Sequence, residues 1–569
     1  MTVNLAHRLF PFLGWPRING ATISNDLMAG IAVSLLAIPQ SLAYAQLAGV
    51  PAYYGLYAAF IPSIVAVLFG SSGILSTGPV ALTSLLTAAS VSHIAVPGSA
   101  EFFSYVTLLA LLSGMFQVGL GMARAGVLLN LLSHPVLMGF INAAALIIAL
   151  SQLPALTGIV VPQTDSFLKD IWQVAERIDT LHGASLLLGL LGLTLLFGFK
   201  RFAPRLPGVL IMVVVLTGLS YASHFAEHGG RIVGEIPTGV PGLSVPTMDL
   251  NATVALLPAA FVIALFSFME VMSSCKVIAI KTRTRWDENR ELIGQGLAKV
   301  AAAFCQSMPV SGSFSRSALN LSSHAKTGFS GLIAAGFVLL TLMYFTPLLY
   351  HLPKPALAAM IVLAVANLID FSTMKNAWRA NRDDGVAAVL TFVATLAFAP
   401  NIQNGIMMGI VFSLGAFIYR RMFPEIVLLG LHADGTLRDA VLHKLAPLHE
   451  KIGALRFDAA LFFANVSFFE DAILKLERET PELEYVLVVA SGINYVDASA
   501  VEMLRDLIRH LRECGICLVF SGPKRQFLDV AERTGLISEM GLANIFDSDE
   551  QALKTLMNRV DTPAKGFTT

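Results

Sequence analysis

The segment SMPVSGSFSRSALN, at Ser307–Asn320, places five serines, a glycine and an arginine inside a chain that is otherwise strongly apolar. A second weakly hydrophobic segment, GSSGILSTGPVALTSLL, occupies Gly70–Leu86. Each comes third in a series: AIPQSLAYAQ and one helix precede the first, while FSFMEVMSSCK, a charged loop and one helix precede the second. Short segments interrupted by Gly, Pro or Ser at corresponding positions of two halves are typical of discontinuous helices at the midplane site of an inverted-repeat transporter.

The composition places the chain in a membrane. Of its 569 residues, 55% are apolar and only 13% are charged, and the mean hydropathy is +0.70. Soluble domains carry about 25% charged residues. The formal net charge is zero and no basic cluster is large enough to follow a phosphate backbone, so we expect no nucleic-acid partner.

The apolar part of the chain predicts a bundle of membrane-spanning helices. A weaker helix at Leu292–Cys305 and the two interrupted segments bring the predicted count to about fourteen. Two halves of about seven segments each, roughly 21–225 and 250–421, must then insert with opposite orientations. Eleven stretches have the composition of spanning helices: Leu27–Leu47, Leu56–Phe69, Phe102–Met122, Pro135–Leu153, Ser185–Phe199, Gly208–Ser223, Val254–Cys275, Gly331–Tyr350, Ala356–Ile369, Gly385–Ala399 and Ile402–Tyr419.

The basic residues set the predicted orientation. With fourteen segments and a cytoplasmic N-terminus, the outside loops hold only Lys169, Arg177, Arg231 and Lys354. This asymmetry follows the positive-inside rule, so we expect a multi-pass protein of a bacterial-type inner membrane, in contact with lipid and with both termini in the cytoplasm. The inside loops hold Arg124, Lys200, Arg201, Arg205, Lys276, Lys281, Arg283, Arg285, Arg290, Lys326, Lys375, Arg379, Arg382, Arg420 and Arg421.

The predicted domain boundary follows a change in sequence pattern after Arg421, from long apolar stretches to alternating short strands and charged helices. Strands at Ala454–Phe463, Tyr485–Ala490 and Ile516–Ser521 alternate with helices at Ser467–Arg478, Ala498–Leu511 and Lys524–Thr534, which predicts a small α/β domain. It has no glycine-rich phosphate loop, metal-ligand cluster or nucleophile with a base, so we expect no catalysis, metal or cofactor. The predicted layout is a cytoplasmic segment at 1–20, a transmembrane domain at 21–421, a linker at 422–435, the α/β domain at 436–560 and a tail at 561–569.

The residue types of the interrupted segments indicate an anion site. A helix that begins inside the membrane leaves its first N–H groups unpaired and carries partial positive charge at that end. Serine and glycine let an oxyanion approach the backbone, Pro79 has no N–H to lose, and Arg316 adds a permanent charge. The alternative is that Ser307–Asn320 is an exposed polar loop and Arg316 one more cytoplasmic positive charge.

Three other polar side chains stand out in apolar helices. Gln40 and Tyr44 share one helix face just after Pro39, where they could contact a ligand or simply pack beside a proline kink. Glu270 is a carboxylate at a depth where charge is costly, which predicts a carrier of a proton or cation. The alternative for Glu270 is a position near the cytoplasmic end, paired with Lys276 or Arg316.

These residues and motifs resemble the sulfate permease (SulP) family of anion transporters, which includes prestin and the human sulfate, chloride and bicarbonate exchangers. The resemblance covers essentially the whole chain. It rests on IPQSLAYAQLAGVPAYYGLYAAFIP, STGPVAL, SGSFSRSALN, and VVASGINYVDASAVEMLRDL in a region that is similar to a STAS domain. It implies a polytopic α-helical fold of about fourteen helices in a 7+7 inverted repeat, divided into core and gate domains, with a cytoplasmic α/β STAS domain and usually as a homodimer.

The resemblance also implies site residues. Gln40 and Tyr44 match the first-helix pair of the family, and Phe314, Ser315 and Arg316 match the tenth-helix contacts. Glu270 falls where bacterial members carry an acidic residue linked to proton or sodium coupling, which favours symport over chloride exchange. With their neighbours in the two motifs, the predicted third- and tenth-helix substrate contacts are Thr77, Gly78, Pro79, Val80, Ala81, Phe314, Ser315, Arg316 and Ser317.

One motif departs from the resemblance. STAS domains of anti-sigma-factor antagonists are phosphorylated on a serine directly after an aspartate, but here Asp497 is followed by Ala498, with Ser499 one position further. A phosphorylation switch of that pattern is therefore not expected. A structural, dimerising or partner-binding role remains for the domain, including binding of a cytoplasmic protein.

The expected function is secondary active transport of a small inorganic or organic anion by elevator-type alternating access, coupled to H⁺ or Na⁺. Sulfate is the default substrate, and bicarbonate and C4-dicarboxylates are its rivals. A nucleobase transporter of related fold is disfavoured by Arg316 and the STAS domain. A membrane-anchored sensor with STAS output is the alternative from another class, although polar groups at both helix breaks favour transport.

Overall fold

The computed structural model describes residues 11–15, 19–126, 133–161, 166–203 and 206–561. The predicted tail at 561–569 lies outside these ranges except for Asp561, as do Arg205 and most of the predicted segment 1–20. The chain forms two compact units, Met1–Ser413 and Leu414–Thr569.

The described part of the first unit consists of helices, two short strands and the loops that connect them. The helices α1–α9 are Gly20–Leu47, Tyr53–Phe69, Ala81–Val91, Ala100–Met122, His134–Ser151, Leu153–Thr157, Phe167–Glu176, Gly183–Phe202 and Gly208–Ala222. The helices α10–α17 are Leu250–Thr282, Glu288–Phe304, Phe314–Ser322, Phe329–Leu340, Thr346–Leu349, Lys354–Ala366, Phe371–Ala380 and Arg382–Ala397. A π-helical turn at Thr341–Phe345 joins α13 to α14, and α18, Ile402–Met422, crosses the boundary between the two units.

Both interrupted segments contain a short strand followed by a short helix. Strand β1, Thr77–Gly78, precedes α3, and strand β2, Ser311–Gly312, precedes α12. The two strands pair antiparallel, with Thr77 opposite Gly312 and Gly78 opposite Ser311. Two extended chains that enter a membrane from opposite sides and meet inside it would pair in this direction. The pairing of β1 with β2 satisfies backbone N–H and C=O groups that lipid could not satisfy.

Eight described helices are long and apolar enough to cross a membrane: α1, α4, α5 with α6, α8, α10, α13 with α14, α15 with α16, and α18. The described apolar helices α2, α3 and α9 are shorter. The α3 and α12 helices span only part of a bilayer by length, 11 and 9 residues respectively. The multi-pass fold is therefore confirmed, while the total of fourteen segments stays a prediction.

The helices pack in two groups. In the first group, α11 packs on α4 and α2, α13 packs on α1, and α10 packs on α4. In the second group, α17 packs on α5, and α15 packs on α8, α5 and α6. The two groups meet chiefly where α1 contacts α15 and α9. Both strands belong to the first group, since β1 packs on α2 and β2 packs on α10.

The second unit is an α/β domain with a six-stranded sheet. Strands β3–β8 are Ile426–Leu431, Leu437–Asp439, Ile452–Phe457, Tyr485–Val489, Cys517–Ser521 and Ile545–Phe546, in the order β4-β3-β5-β6-β7-β8. Strands β5 to β8 run parallel, and β3 is antiparallel to both neighbours. The helices α19–α23 are Val466–Glu479, Ala498–Glu513, Arg525–Arg533, Leu536–Met540 and Asp549–Asp561.

The second unit differs from the sequence-based prediction in three places. The predicted linker 422–435 contains β3, whose residues are paired with β5 inside the sheet. The strand predicted at Ala454–Phe463 ends at Phe457, because Asp458 follows and accepts a hydrogen bond from Arg456. Strand β8 and helix α23 were not predicted: β8 has only two residues, whereas α23 does carry the apolar spacing of an amphipathic helix, at Ala552, Leu556 and Val560.

Candidate functional site

Hydrogen bonds join the two interrupted segments at the start of their helices. The Ser313 amide donates to the Ser76 carbonyl at 2.8 Å, and the Ser76 amide donates to Ser317 Oγ at 2.9 Å. Asn320 Nδ2 donates to the Ile74 carbonyl at 2.8 Å. With the β1–β2 pairing, these bonds hold the N-termini of α3 and α12 beside each other. Two helix N-termini at one point concentrate partial positive charge there.

The two helix starts are capped differently. Ser313 precedes α12 in an extended conformation, and its Oγ accepts a hydrogen bond from the Arg316 amide. Val80 precedes α3 in an extended conformation and provides no side-chain cap. The first amides of α3 therefore lack a side-chain acceptor from Val80, which is the condition under which a helix start can bind an anion.

Arg316 links the two helix starts. Its side chain is 1% exposed, and Nη1 donates to the Pro79 carbonyl at 3.0 Å and lies 3.5 Å from Gln40 Oε1. The Nη2 atom is buried and has no hydrogen-bond partner in the described part of the chain. The exposed-loop alternative for Ser307–Asn320 is therefore wrong. A buried guanidinium N–H without an acceptor is costly, and an anion would supply that acceptor.

The residues predicted on α1 lie near this guanidinium. Helix α1 continues through Pro39, and the Gln40 amide oxygen faces Arg316. Tyr44 is 6% exposed and lies near the charged side chains of both Arg316 and Glu270. The structure thus brings Gln40, Tyr44 and Arg316 together, and the position of Gln40 is more specific than ordinary packing beside a kink requires.

The other predicted contacts fall into three groups. Gly78, Pro79, Val80 and Ala81 are buried at the start of α3. The hydroxyls of Thr77 and Ser317 already accept scaffold hydrogen bonds, from Gln295 Nε2 at 2.8 Å and from the Ser76 amide respectively. Phe314 is 51% exposed and Ser315 is also exposed.

Glu270 lies beside the same strand pair. It belongs to α10, is partly buried, and accepts a hydrogen bond from Ser311 Oγ at 3.2 Å. Its carboxylate also interacts electrostatically with Arg316 and Lys299. The alternative pairing with Lys276 is not found, because Lys276 is exposed while Glu270 contacts β2.

Sequence reasoning missed Lys299, the most buried basic side chain near Glu270. It is 0% exposed, and Nζ donates to Gln117 Oε1 at 2.7 Å and to Ser267 Oγ at 2.5 Å. These partners are neutral, and among the described residues Glu270 is the acidic side chain that interacts electrostatically with Lys299. The signal that singled out Glu270, a charge inside an apolar helix, was present for Lys299 as well.

Two further buried polar residues support the strands and were also missed. Glu291, at 1% exposure, accepts hydrogen bonds from the amides of Ser71 and Ser72 at 2.8 and 2.9 Å. Gln295 donates to Glu291 as well as to Thr77. Glu291 therefore ties α11 to the turn before β1, which is a structural role.

A polytopic helical domain with two interrupted helices, an arginine between their N-termini and a separate α/β domain defines the class: a membrane transport protein. Residues 23–391 match the sulfate permease family and residues 443–552 match the STAS domain. The chain belongs to the sulfate permease family, which confirms the resemblance seen in the sequence.

The curated relatives match along most of their length. A probable sulfate transporter of Arabidopsis thaliana, named 4.2, is 34% identical over 555 residues, which cover 95% of this chain and 82% of that protein. A probable sulfate transporter of Mycobacterium tuberculosis is 30% identical over 539 residues, covering 94% of this chain and 96% of that protein.

Solved structures share the fold. The inward-facing structure of the murine anion transporter Slc26a9 has a TM-score of 0.90 at 22% identity and covers 98% of this chain and 96% of that chain. The transmembrane domain of the cyanobacterial bicarbonate transporter BicA has a TM-score of 0.59 at 21% identity, covering 70% of this chain and 99% of that chain. These likenesses establish the SLC26-like architecture with its C-terminal STAS domain.

Proposed function

We propose that this protein is a secondary active transporter of a small oxyanion, with sulfate as the first candidate. The observation that carries the proposal is the buried Arg316 side chain, whose Nη2 lacks an acceptor between the N-termini of α3 and α12. A tetrahedral oxyanion offers acceptors in several directions, so it can accept from a guanidinium and from helix amides together. The names of the curated relatives, which are sulfate transporters, support the same substrate.

The charges around the site favour a dianion accompanied by a proton. When both basic side chains are protonated, Arg316 and Lys299 contribute two positive charges, and ionised Glu270 contributes one negative charge. When Glu270 is protonated, the remaining two positive charges match a doubly charged anion. Burial makes such neutralisation important, because uncompensated charge in a low-dielectric interior is costly. Proton and dianion would therefore load together.

Glu270 is the proposed coupling residue because it is held loosely. One described hydroxyl, that of Ser311, donates to its side chain, whereas Glu291 accepts from two amides, a hydroxyl and a side-chain amide. A carboxylate with few donors can exchange a proton or bind a cation more readily than one that is held by several donors. The coupling ion is proposed to be H⁺, with Na⁺ as the alternative.

The two packing groups support an elevator-type movement. The strands, Arg316, Glu270 and Lys299 all belong to the first group, so this group could carry a bound anion as a rigid body past α15 and α9. We place the protein in a bacterial-type inner membrane with cytoplasmic termini, as a homodimer surrounded by lipid. The STAS domain is the proposed docking site for a cytoplasmic protein partner.

The test is uptake of labelled sulfate, bicarbonate and succinate into proteoliposomes, with an inward proton or sodium gradient imposed or withdrawn. We expect sulfate to accumulate when the proton gradient is present. Accumulation of bicarbonate or succinate instead would replace sulfate as the substrate. Absence of uptake for all three anions would favour the sensor alternative.

Glu270→Gln tests the coupling in the same vesicles. Because glutamine cannot carry a proton, we expect loss of gradient-driven accumulation while anion exchange across the membrane continues. Glu101→Gln, at the exposed start of α4, is the matched control and should behave as the unaltered protein. Undiminished proton-driven uptake by the Glu270 variant would contradict its assigned role.

A further inference from the structure

A second cluster of reactive side chains lies in the α/β domain. Glu477 is in the last turn of α19, His510 is in the last turn of α20, and Cys514 is the C-cap residue that directly follows α20. Their ligand atoms all lie within 4.8 Å of one another, and this is the one such group of three among the described residues. The sequence did not predict it, because Glu477 lies 33 residues before His510, with β6 between them.

The separations suit a metal ion. His510 Nε2 lies 4.0 Å from Cys514 Sγ and 3.5 Å from Glu477 Oε2. In a tetrahedral zinc site, bond lengths of about 2.3 Å to sulfur and about 2.0 Å to nitrogen or oxygen place neighbouring ligand atoms roughly 3.5 Å apart. Side-chain rotations that move these atoms by a few tenths of an ångström would therefore bring them into coordination. His510 and Cys514 are four apart on one helix and so face the same side.

The surroundings favour a cation. Two helices end here, and the partial negative charge of a helix C-terminus attracts positive charge. The neighbouring basic residues are engaged elsewhere: Arg478 Nε with the Leu474 carbonyl, Arg509 with Asp506, and Arg512 with the Glu539 carbonyl. These three arginines therefore do not compete with a metal ion for the three ligands.

We propose that Glu477, His510 and Cys514 bind one divalent transition-metal ion, zinc being the best match to this sulfur, nitrogen and oxygen set. His510 and Cys514 are exposed, so a fourth position opens to solvent for water or a partner's side chain. The ion cross-links the C-terminal ends of α19 and α20. The proposal is independent of the transport function, since no ligand lies in the membrane helices.

The experiment titrates Co²⁺ into the untagged full-length protein in detergent and follows the sulfur-to-cobalt charge-transfer absorption. That band reports a bound thiolate, so it excludes binding at sites made of histidine and carboxylate alone. We expect one equivalent with the band, displaced by Zn²⁺. Cys514→Ser should abolish the band, while His510→Asn and Glu477→Gln should each weaken Co²⁺ binding about tenfold or more.

Cys517→Ser is the matched control, because Cys517 is the neighbouring cysteine but lies outside the cluster. It should leave the band and the affinity unchanged. Since the three ligands lie at the surface, the variants should fold, and unchanged sulfate uptake in proteoliposomes provides the check. Absence of the band in the unaltered protein, or a band that survives in Cys514→Ser, would overturn the proposal.

Discussion

The two interrupted helices differ in how each prepares its N-terminus. The start of α3 has no side-chain cap and is lined by Gly78, Pro79 and Val80. The start of α12 is capped by Ser313 and carries Arg316, which reaches across to the Pro79 carbonyl. The first segment thus has no side-chain cap at its helix start, and the second supplies the Arg316 guanidinium and hydrogen bonds that hold the two segments together. In the proposed anion site, the two interrupted segments would therefore divide the tasks of binding between them.

The largest expected effect comes from removing the charge of the second half. Arg316→Ala should weaken sulfate binding by about 2–5 kcal/mol, or roughly 30-fold to several thousand-fold, since a desolvated charge partner is lost. The measurement is equilibrium binding of labelled sulfate to purified protein. Arg316→Lys keeps the charge but not the forked donors, so it should bind with intermediate affinity. Equal losses in both variants would show that geometry, and not charge, dominates.

Alanine substitutions at the glycines of the two strands should have effects of intermediate size that differ in kind. A Cβ at Gly78 would lie 3.0 Å from Arg316 Nη2, whereas a Cβ at Gly312 would meet Val271 Cγ2 at 2.8 Å. We expect Gly78→Ala to displace the guanidinium and lower sulfate affinity about tenfold. Gly312→Ala should instead lower stability by about 1–3 kcal/mol through overpacking. Sulfate titration and thermal unfolding of both variants check this, and exchanged phenotypes would contradict the division of tasks.

The smallest effects concern serines of the second half. Ser317→Ala leaves the Ser76 amide without its acceptor, which should cost about 1–3 kcal/mol of stability. Ser315 is exposed, and its Oγ lies 3.3 Å from Ser313 Oγ, so Ser315→Ala should change stability by less than about 0.5 kcal/mol. Unfolding in detergent measures both. A larger loss of stability in Ser315→Ala than in Ser317→Ala would mean that the hydrogen bonds between the two interrupted segments have been assigned to the wrong serine.

Much of this arrangement was predictable because each feature was local. The polar break at Ser307–Asn320 and the spacing of Gln40 and Tyr44 are written in short stretches of sequence. The family resemblance then connected them, and the match of residues 23–391 confirms it. The substrate contacts themselves stay predictions until an anion is measured there.

The rest depended on residues distant in sequence. Lys299 contacts Gln117 and Ser267, which lie 182 and 32 residues away, so no local pattern reveals the network. The sequence pattern predicted no role for Asp26, yet this residue is fully buried and accepts hydrogen bonds from the Lys326 and Thr327 amides. A charged residue in an apolar helix can be recognised from the sequence because its burial is costly. Its partners, and hence its role, can be identified only from the fold.

The central claim is that an anion binds between the two helix starts and is held by Arg316. The most direct measurement is equilibrium binding of labelled sulfate to the purified full-length protein and to its Arg316→Ala variant, with thermal unfolding to show that both are folded. We predict saturable binding with one site per chain, reduced at least about 30-fold in the variant. Equal affinity in a folded Arg316→Ala protein would contradict the account.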